Sequence, residues 1–399
     1  MNFESIKSQS SQYVMDTYTR FDLCLVKGKN ATAWDESGKK YVDFGAGIGV
    51  NSLGYCDERW TAAVANQAGM LQHASNLYYT LPYLEAAKAL CESTGMSKVF
   101  FANSGAESNE GAIKIARRYG ELYHGESCHK IVTLVNSFHG RTLTTLAATG
   151  QQVFHEHFLP LTEGFVSIPA GDMGAMKAAL DDSVCGVLME LVQGEGGVIP
   201  LEKDYVQAVA ALCREKDILF MVDEVQTGIG RTGTLFAYEQ YGVKPNVVTM
   251  AKGLGGGLPI GAVMADEKTG AVLSRGLHAT TFGGNPVACA GACEVLKRVN
   301  DPAFLADVTR KGALISKRIS AMPGVKCVRG LGMMLGVVLE EGLNAADIVA
   351  LCIQGGAIFL TAKTLIRLLP PLSITDAELE EGLGVLERVL TQKQKEKNA

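Results

Sequence analysis

Two short apolar segments, each ending beside a charged residue, constrain most strongly what this chain can fold into. The first covers residues 218–222 and is followed by Asp223, and the second covers residues 246–250 and is followed closely by Lys252 and a glycine-rich run. Short apolar segments with turn residues behind them are typical of buried strands in a parallel sheet. Since ligands of such sheets bind at the carboxyl ends of the strands, we expect Asp223 and Lys252 to lie together at a ligand site.

A lysine and an aspartate in this arrangement predict a particular cofactor. Pyridoxal phosphate is held by a lysine amine that bonds covalently to it and by an acidic group that faces its pyridine nitrogen. The acid keeps the ring nitrogen protonated, so that the ring can accept electrons. Because two charges at strand ends also occur in proteins without any cofactor, the prediction depends on the other segments of the chain.

Composition and charge favour an enzyme with one large and one small domain. The chain has 399 residues, of which 47% are hydrophobic and 20% charged, as is usual for a globular protein. A net charge of −5 argues against a nucleic-acid surface, and we find no apolar segment long enough for a membrane span. The ten cysteines form no CxxC pair, and no signal pattern opens the chain, so we expect reduced thiols in a cytoplasmic protein. The histidines and cysteines do not cluster, which predicts no metal site.

The order of the predicted elements indicates an α/β fold. Strand and helix patterns alternate across residues 56–299, which favours a large domain with a mostly parallel central sheet covered by helices. Residues 300–399 change to helix, strands and helix, which indicates a small α+β domain. Residues 1–55, a polar arm and a hairpin at residues 31–44, are predicted to join that small domain. The charged tail at residues 392–399 is expected to fray.

A phosphate site is predicted at residues 103–110, which follow a strand pattern and open a helix. Free backbone N–H groups and the positive end of the dipole at a helix start bind a phosphate dianion. Gly105 allows close approach of the phosphate, and Ser104 and Ala106 can present N–H groups. The same residues would also serve as an ordinary helix cap, so this segment gains its meaning from Asp223 and Lys252.

A ring-binding segment is predicted directly after the strand at residues 131–135. Phe138 can stack on a pyridine ring, and the planar guanidinium of Arg141 suits a carboxylate. In an unrelated chain, core packing and a surface charge would explain these two residues equally well.

A glycine pattern at residues 228–233 offers a different interpretation. It matches GxGxxG and follows a predicted strand, as in nicotinamide dinucleotide sites. Such sites also need an acid about 20 residues further on, at the end of the next strand, to bind the ribose. The next strand ends near Lys252 instead, and so a nicotinamide-dependent dehydrogenase is kept only as a remote alternative.

Together these motifs resemble the class III, pyridoxal-phosphate-dependent aminotransferases of fold type I, and most closely the acetylornithine aminotransferases among them. The matching segments keep the order of the family along most of the chain: residues 103–110, 137–142, 190–197, 223–233, 251–257, 280–286 and 367–372. Two positions depart from the family pattern. Leu191 stands where proline is frequent, and Leu368 with Leu369 replaces a frequent Phe-Ala pair, which bears on the mouth of the substrate site.

The resemblance implies how the cofactor is held. It implies that Lys252 binds the cofactor covalently and moves the proton, that Asp223 pairs with the ring nitrogen, and that Gln226 binds the phenolic oxygen. Gly105 and Ala106, with Ser104 beside them, would hold the phosphate, and Phe138 would stack on the ring.

A subunit interface is also implied. In the family, the residue matching Thr281 reaches the phosphate of the neighbouring subunit, and Thr280 lies beside the substrate. The resemblance therefore implies a homodimer with shared active sites.

The resemblance further implies two substrates in one pocket. Arg141 would bind the distal carboxylate of either substrate, and Arg367 the α-carboxylate of glutamate. When a terminal amine binds instead, Glu195 would neutralise Arg367, because an unpaired buried guanidinium is unfavourable. The implied reaction moves the δ-amine of N2-acetylornithine to 2-oxoglutarate in arginine biosynthesis. Ornithine, succinylornithine and 4-aminobutyrate aminotransferases, an aminomutase of the glutamate-semialdehyde type and an inactive scaffold remain open.

Overall fold

The computed structural model describes residues 2–398; Met1 and Ala399, the outer ends of the predicted arm and tail, lie outside the described residues. The N-terminal elements are α1 (Phe3–Tyr13), β1 (Leu25–Lys29), β2 (Thr32–Asp35), β3 (Lys40–Asp43) and α2 (Ala46–Gly49). The predicted hairpin is confirmed, because β2 and β3 pair antiparallel, and the predicted arm contains helix α1. The segment α2 is a single turn whose φ angles are all positive, between +46° and +74°.

The next part of the chain alternates helices and strands as predicted. Its helices are α3 (Glu58–Met70), α4 (Leu81–Thr94), α5 (Gly105–His124), α6 (Leu143–Ala148), α7 (Met173–Ala179), α8 (Lys203–Glu215), α9 (Tyr238–Tyr241) and α10 (Pro286–Val299). Its strands are β4 (Lys98–Ala102), β5 (Lys130–Leu134), β6 (Phe165–Ile168), β7 (Val184–Met189), β8 (Val192–Gln193), β9 (Ile199–Pro200), β10 (Leu219–Asp223), β11 (Val247–Met250) and β12 (Gly261–Ala265).

Seven of these strands form the central sheet, in the order β4-β12-β11-β10-β7-β5-β6. Strand β12 runs antiparallel to both of its neighbours, and the other pairs are parallel. The sheet is therefore mixed, with one reversed strand in a mostly parallel arrangement.

Burial explains why the central strands are continuously apolar. Every residue of β7, β10 and β11 is buried. Leu219 and Met221 pack in the core cluster that contains residues of α5, whereas Phe220 and Val222 pack in the cluster that contains residues of α8. Because successive side chains of a strand point to opposite faces, helices on both sides of the sheet require an uninterrupted apolar segment.

The register of β10 and β11 brings the two charged residues together. These strands are neighbours and parallel, and Asp223 lies opposite Thr249. Both strands therefore end at the same edge of the sheet, as predicted. Just beyond β11 the chain turns at Lys252, which has a φ of +35°. A left-handed backbone at a non-glycine residue is unfavourable by about 1–3 kcal/mol and is typical of functional sites.

The C-terminal part contains two further sheets. Its elements are α11 (Pro302–Ser320), β13 (Val325–Leu331), β14 (Met334–Leu339), α12 (Ala345–Gln354), β15 (Ala357–Ile358), β16 (Leu360–Ala362), β17 (Leu365–Leu368) and α13 (Asp376–Asn398). One sheet has the order β13-β14-β17-β16, and β15 joins the N-terminal strands in the order β1-β2-β3-β15. The two ends of the chain are thus connected by a parallel pairing of β15 with β3.

The prediction of a frayed tail is wrong for the described residues, because α13 continues to Asn398. Lys393 forms an ion pair with Glu396 at 2.8 Å, and the amine of Lys397 donates to the carbonyl of Glu341 at 2.5 Å. Residues three or four positions apart face each other on a helix, so a segment rich in lysine and glutamate stabilises the helical form.

The glycine-rich loop at residues 228–233 does not open a helix at a ligand site. Arg231 within it is buried, and its guanidinium donates to the carbonyls of Met333 at 3.1 Å and Pro370 at 2.6 Å. The loop therefore connects the central sheet to the C-terminal part of the chain. Separately, none of the helices within residues 2–398 is both long and apolar enough to cross a membrane.

Candidate active site

A cavity of about 480 Å³ lies at the carboxyl edge of the central sheet. Its lining includes eight residues for which the sequence predicted a role: Ser104, Gly105, Ala106, Phe138, Arg141, Asp223, Gln226 and Lys252. It also includes Asn109, His139, Glu190 and Val225, for which the sequence predicted none. The strands β4, β5, β7, β10 and β11 each lead into one of the segments that line the cavity.

The side chain of Lys252 lines this cavity and is half-buried. Burial lowers the pKa of the Lys252 amine, the negative charge of Glu195 partly opposes that change, and the positive charge of Arg367 adds to it. A lysine with a lowered pKa carries less charge near neutral pH, and its free lone pair can act as a nucleophile or accept a proton.

Three donors hold the carboxylate of Asp223. Its Oδ2 accepts from Nδ1 of His139 and from Nδ2 of Asn109, both at 2.8 Å, and its Oδ1 accepts from the N–H of Val225 at 3.0 Å. Thr249 fixes Asn109 in turn, because its hydroxyl donates to Oδ1 of that amide at 2.7 Å. Such a set of donors stabilises the negative charge that a protonated pyridine nitrogen requires opposite it.

His139 contributes an imidazole that sequence reasoning missed. Its side chain is fully buried against Asp223, and its Nε2 has no hydrogen-bond partner among residues 2–398. The residue stands between Phe138 and Gly140, within the segment that was predicted to bind the ring. No spacing rule connects it to Asp223, because the two residues meet only through the pairing order of the sheet.

Glu190 is the second missed residue, and here a signal existed. It directly follows β7 at the same sheet edge as Asp223, so the strand-end argument applied to Asp223 also covers Glu190. Its carboxylate accepts from the N–H groups of Phe138 at 2.8 Å and Gly194 at 3.3 Å. Burial raises the pKa of Glu190 to about 7, although the nearby His139 opposes the rise.

The start of helix α5 forms an anion cradle on one side of the cavity. Ser104 caps the helix, since its hydroxyl accepts from the N–H of Glu107 at 3.2 Å. Within the described part of the chain, the N–H groups of Gly105 and Ala106 have no acceptor. A Cβ atom at Gly105 would lie 2.7 Å from Cγ1 of Val225. Glycine at this position therefore allows the helix start to pack closely against the loop after β10.

Arg141 lies exposed at the mouth of the cavity. Its guanidinium carbon is 5.5 Å from the ring centre of Phe138 and 3.9 Å from that of Phe154. The guanidinium lies over two aromatic rings, and its N–H groups make no hydrogen bond or ion pair to any of residues 2–398, so they are available to a carboxylate.

Arg367 and Glu195 do not line the cavity, but they form an ion pair whose charges act on Lys252. Nη1 of Arg367 donates to Oε1 of Glu195 at 2.5 Å and to Oε1 of Gln226 at 3.4 Å. The guanidinium of Arg367 is nearly enclosed, with 5% of its side chain exposed, whereas Glu195 keeps 28%. The more exposed carboxylate can therefore leave while the cation stays in place.

Thr280 and Thr281 do not line this cavity. The hydroxyl of Thr280 accepts from Nδ2 of Asn103 at 3.3 Å and from the N–H of Gly283 at 3.2 Å, and Thr281 is exposed. Their expected action in a neighbouring subunit stays a prediction. No group of metal-ligating side chains large enough to hold an ion occurs in the part of the chain that is described.

The groups around the cavity fit pyridoxal phosphate. The helix start offers free N–H groups for a phosphate, Asp223 offers a fixed negative charge for a ring nitrogen, and Lys252 offers an amine with a lowered pKa. When bound, this cofactor supplies an electron sink for the substrate carbon that carries the amine.

Comparison with known proteins agrees with this chemistry. The sequence profile of the family described as Aminotransferase class-III matches residues 13–390. The acetylornithine aminotransferase of Haemophilus ducreyi is 51% identical over 393 residues, which are 98% of this chain and 100% of that protein.

Two solved structures are also similar. An N-acetylornithine aminotransferase from Stenotrophomonas maltophilia has a TM-score of 0.83 at 34% identity, covering 96% of this chain and 98% of the other. An ornithine aminotransferase from Toxoplasma gondii, described with partial occupancy of pyridoxal phosphate at its active site, has a TM-score of 0.95 at 32% identity, covering 100% and 96%. With the family profile extending over nearly its whole length, this chain belongs to the class-III aminotransferases, and pyridoxal phosphate is its cofactor.

Proposed function

We propose that this enzyme moves the δ-amino group of N2-acetylornithine to 2-oxoglutarate, which yields the semialdehyde and glutamate in a step of arginine biosynthesis. The observation that carries the proposal is the ion pair of Arg367 with Glu195 beside Lys252. The acetylornithine aminotransferases among its relatives, at up to 51% identity, support the choice of substrate.

The ion pair would allow one pocket to bind two substrates that differ in the charge beside the reacting amine. Glutamate carries an α-carboxylate next to its reacting amine, and the enclosed guanidinium of Arg367 is suited to bind it. A terminal amine carries no carboxylate at that place. Glu195 then remains on Arg367, so that the buried cation is never left unpaired.

Arg141 would bind the carboxylate at the far end of either substrate. Arg141 lines the cavity without a hydrogen bond to any of residues 2–398, and a planar fork of donors matches a carboxylate well. We propose that this contact fixes how far each substrate reaches towards Lys252.

Lys252 and Asp223 divide the handling of protons. Nζ of Lys252, with its pKa lowered by burial, would move the proton between the substrate carbon and the cofactor. Asp223 holds a proton on the ring nitrogen through its fixed negative charge. Gln226, which lines the cavity and contacts Arg367, is placed to bind the phenolic oxygen of the cofactor.

The two half-reactions, measured separately by rapid mixing, test the switch. In Glu195→Ala, Arg367 is always free for an α-carboxylate, so we expect kcat/KM for glutamate to rise relative to N2-acetylornithine by about 5- to 150-fold. In Arg367→Ala, glutamate should lose most, and the terminal amine less. Arg318→Ala, which removes two ion pairs elsewhere in the chain, with Glu380 and Glu387, is the control. Equal losses in both half-reactions would show that the pair is only structural.

Unacylated ornithine is the second candidate substrate. It is supported by the similarity to the Toxoplasma ornithine aminotransferase, whose TM-score of 0.95 exceeds that of the acetylornithine enzyme compared above. A panel of ornithine, N2-acetylornithine, N2-succinylornithine and 4-aminobutyrate, offered to the loaded enzyme, distinguishes these substrates by their kcat/KM.

We further propose a homodimer in which Thr281 of one subunit reaches the phosphate site of the other. An exposed apolar segment supports this, comprising Leu77, Tyr78, Tyr79, Leu81 and Leu84. Nδ2 of Asn76 donates to the carbonyl of Gly283 at 3.0 Å. The segment that carries Thr281 is therefore attached to the same apolar face.

We also propose a division of the chain into two domains. We assign residues 56–299 to a large domain, and residues 1–55 to a small domain together with residues 300–399. The carboxylate of Glu378 supports this, because it accepts from Asn30 at 2.6 Å and from Thr32 at 3.0 Å.

We also propose that the enzyme is located in the cytoplasm. The ten cysteines are all free thiols, which supports a cytoplasmic location.

A further inference from the structure

Phe154 touches the substrate-binding machinery without lining the cavity. It closes a short 3₁₀ turn, Gln152–Phe154, and is half-buried. Its ring centre is 3.9 Å from the guanidinium carbon of Arg141 and 6.0 Å from the ring centre of Phe138, at an interplanar angle of 85°. One phenylalanine thus contacts both residues that face the substrate from this side.

The contact with Phe154 leaves Arg141 free to bind. Arg141 makes no hydrogen bond or ion pair to any of residues 2–398, and its described contacts are the two aromatic rings. A cation stacked on a ring is held through its face, whereas a guanidinium binds a carboxylate through the N–H groups at its edge. The ring therefore orients the guanidinium and uses none of the donors that a carboxylate needs.

Phe154 is itself fixed to the framework. Nε2 of the next residue, His155, lies 2.9 Å from the carbonyl of Leu146 and 2.8 Å from that of Thr149. These contacts tie the turn to the end of helix α6. The position of the ring is therefore set by secondary structure and does not depend on a bound substrate.

The same framework holds the segment that carries Phe138. The N–H of Gly150 donates to the hydroxyl of Ser137, and the side-chain amide of Gln151 donates to the carbonyl of Ser137, both at 3.0 Å. The N–H of His139 donates to the hydroxyl of Thr149 at 2.9 Å. Residues 149–155 are thus a rigid support placed behind residues 137–141.

We propose that Phe154 is a positioning residue for carboxylate recognition: its ring holds the Arg141 guanidinium at the mouth of the cavity, so that the enzyme selects amines that carry a carboxylate remote from the reacting nitrogen. This inference rests on the proposed role of Arg141. Without the ring, the long arginine side chain samples many rotamers, and a carboxylate must order it on binding.

The test compares substrates with and without the remote carboxylate on the loaded enzyme. Phe154→Leu keeps an apolar side chain but removes the ring face, and we expect KM for N2-acetylornithine and glutamate to rise by about 2- to 30-fold at an unchanged kcat. The half-reaction with 1-aminopentane, which has no carboxylate, should keep its rate. Phe154→Tyr should restore the wild-type KM.

Two further variants provide a control and a test that Phe154 acts through Arg141. Phe158→Leu makes the same change at a phenylalanine just beyond this segment, 52% exposed, and should leave every constant unchanged. Arg141→Ala should raise KM for both carboxylate substrates. Adding Phe154→Leu to it should cause no further rise if the ring acts on these substrates through Arg141, as proposed, and not through its contact with Phe138.

Several outcomes would overturn the proposal: a wild-type KM in Phe154→Leu, an equal loss with 1-aminopentane, or additive effects of the two substitutions. Failure of the proposed function looks different. In that case the wild-type enzyme itself rejects N2-acetylornithine, and the comparison is made with glutamate and 1-aminopentane alone.

Discussion

Asp223 and Glu190 occupy equivalent positions at the ends of two strands, but different hydrogen-bond donors surround their carboxyl groups. Both stand at the end of a buried strand, at the same edge of the sheet. Asp223 accepts from an imidazole and a side-chain amide as well as a backbone N–H, whereas Glu190 accepts only from backbone N–H groups. Burial raises the pKa of Glu190 to about 7. Asp223 is therefore the carboxylate with the larger set of donors, which suits a group that faces a cofactor nitrogen.

Replacing Asp223 by Asn tests that assignment. The amide keeps the size of the side chain but removes the charge, so the ring nitrogen can lose its proton and stabilise a carbanion less well. We expect kcat to fall by at least about a hundredfold, which is the low end for losing one key electrostatic group. Absorbance of the bound cofactor, measured beside the rate, should show that the site is still occupied. Turnover near the wild-type rate with a full site would refute the role of Asp223.

At the level of single residues, the sequence predicts those site residues whose positions follow from the strand that directly precedes them. Asp223 and Lys252 are identified because each follows an apolar segment, and parallel strands end at a common edge. His139 escapes this reasoning, because its contact with Asp223 spans 84 positions and depends on which strands are neighbours. Glu190 satisfies the same rule as Asp223 and also lines the cavity, so the rule could have identified it.

Among the elements, helix α5 has the most direct connection to cofactor binding. Its first N–H groups are free within the described residues, and Gly105 at its start packs directly against Val225 of the loop after β10. The position of the helix start relative to β10 therefore determines where a phosphate can bind in relation to Asp223.

Gly105→Ala should disturb that relation. The added Cβ would lie 2.7 Å from Cγ1 and 3.0 Å from Cγ2 of Val225, so the helix start or the loop must move. Overpacking of this kind is unfavourable by about 1–3 kcal/mol, and we expect the Kd for pyridoxal phosphate to rise by about tenfold, as measured by titration of the cofactor-free enzyme. Gly69→Ala, on a helix with nothing within 4 Å of the new Cβ, is the matched control. An unchanged Kd in Gly105→Ala would contradict the cradle at this helix start.

The elements themselves were predictable wherever their pattern is long and regular. The alternation of helices and strands across residues 56–299 and the change to helix, strands and helix after residue 300 follow the sequence expectation. Strand β12 was not predicted, because it is short and Gly261, Ala262 and Ala265 give it little β character. It forms through its neighbours β4 and β11, which pair with it from both sides. The pairing of β15 with β3 likewise joins distant parts of the chain.

For the whole molecule, the site depends on parts of the chain that are far apart. Arg367 lies on β17 in the C-terminal part and donates to Glu195 and Gln226 of the central part. Arg231 extends in the opposite direction and binds carbonyls of the C-terminal part. The proposed substrate switch therefore requires a fixed relation between the two parts, which a sequence pattern alone does not supply.

The exposed apolar segment beside Asn76 leads to a prediction about assembly. Leu77 is 87% exposed in the single chain, and a symmetric interface would bury it twice. Burying one leucine contributes about 1.5–3 kcal/mol, so Leu77→Asp should raise the Kd of the dimer by at least about a hundredfold. We expect sedimentation to show a monomer at micromolar concentration and the activity to fall with dissociation, because Thr281 can no longer reach the second site. Leu122→Asp is the control: Leu122 is also exposed, at 48%, but it lies near the far end of α5, and this variant should stay dimeric and active. A fully active Leu77→Asp monomer would remove the basis for a shared site, since each chain would then hold its cofactor and substrate alone.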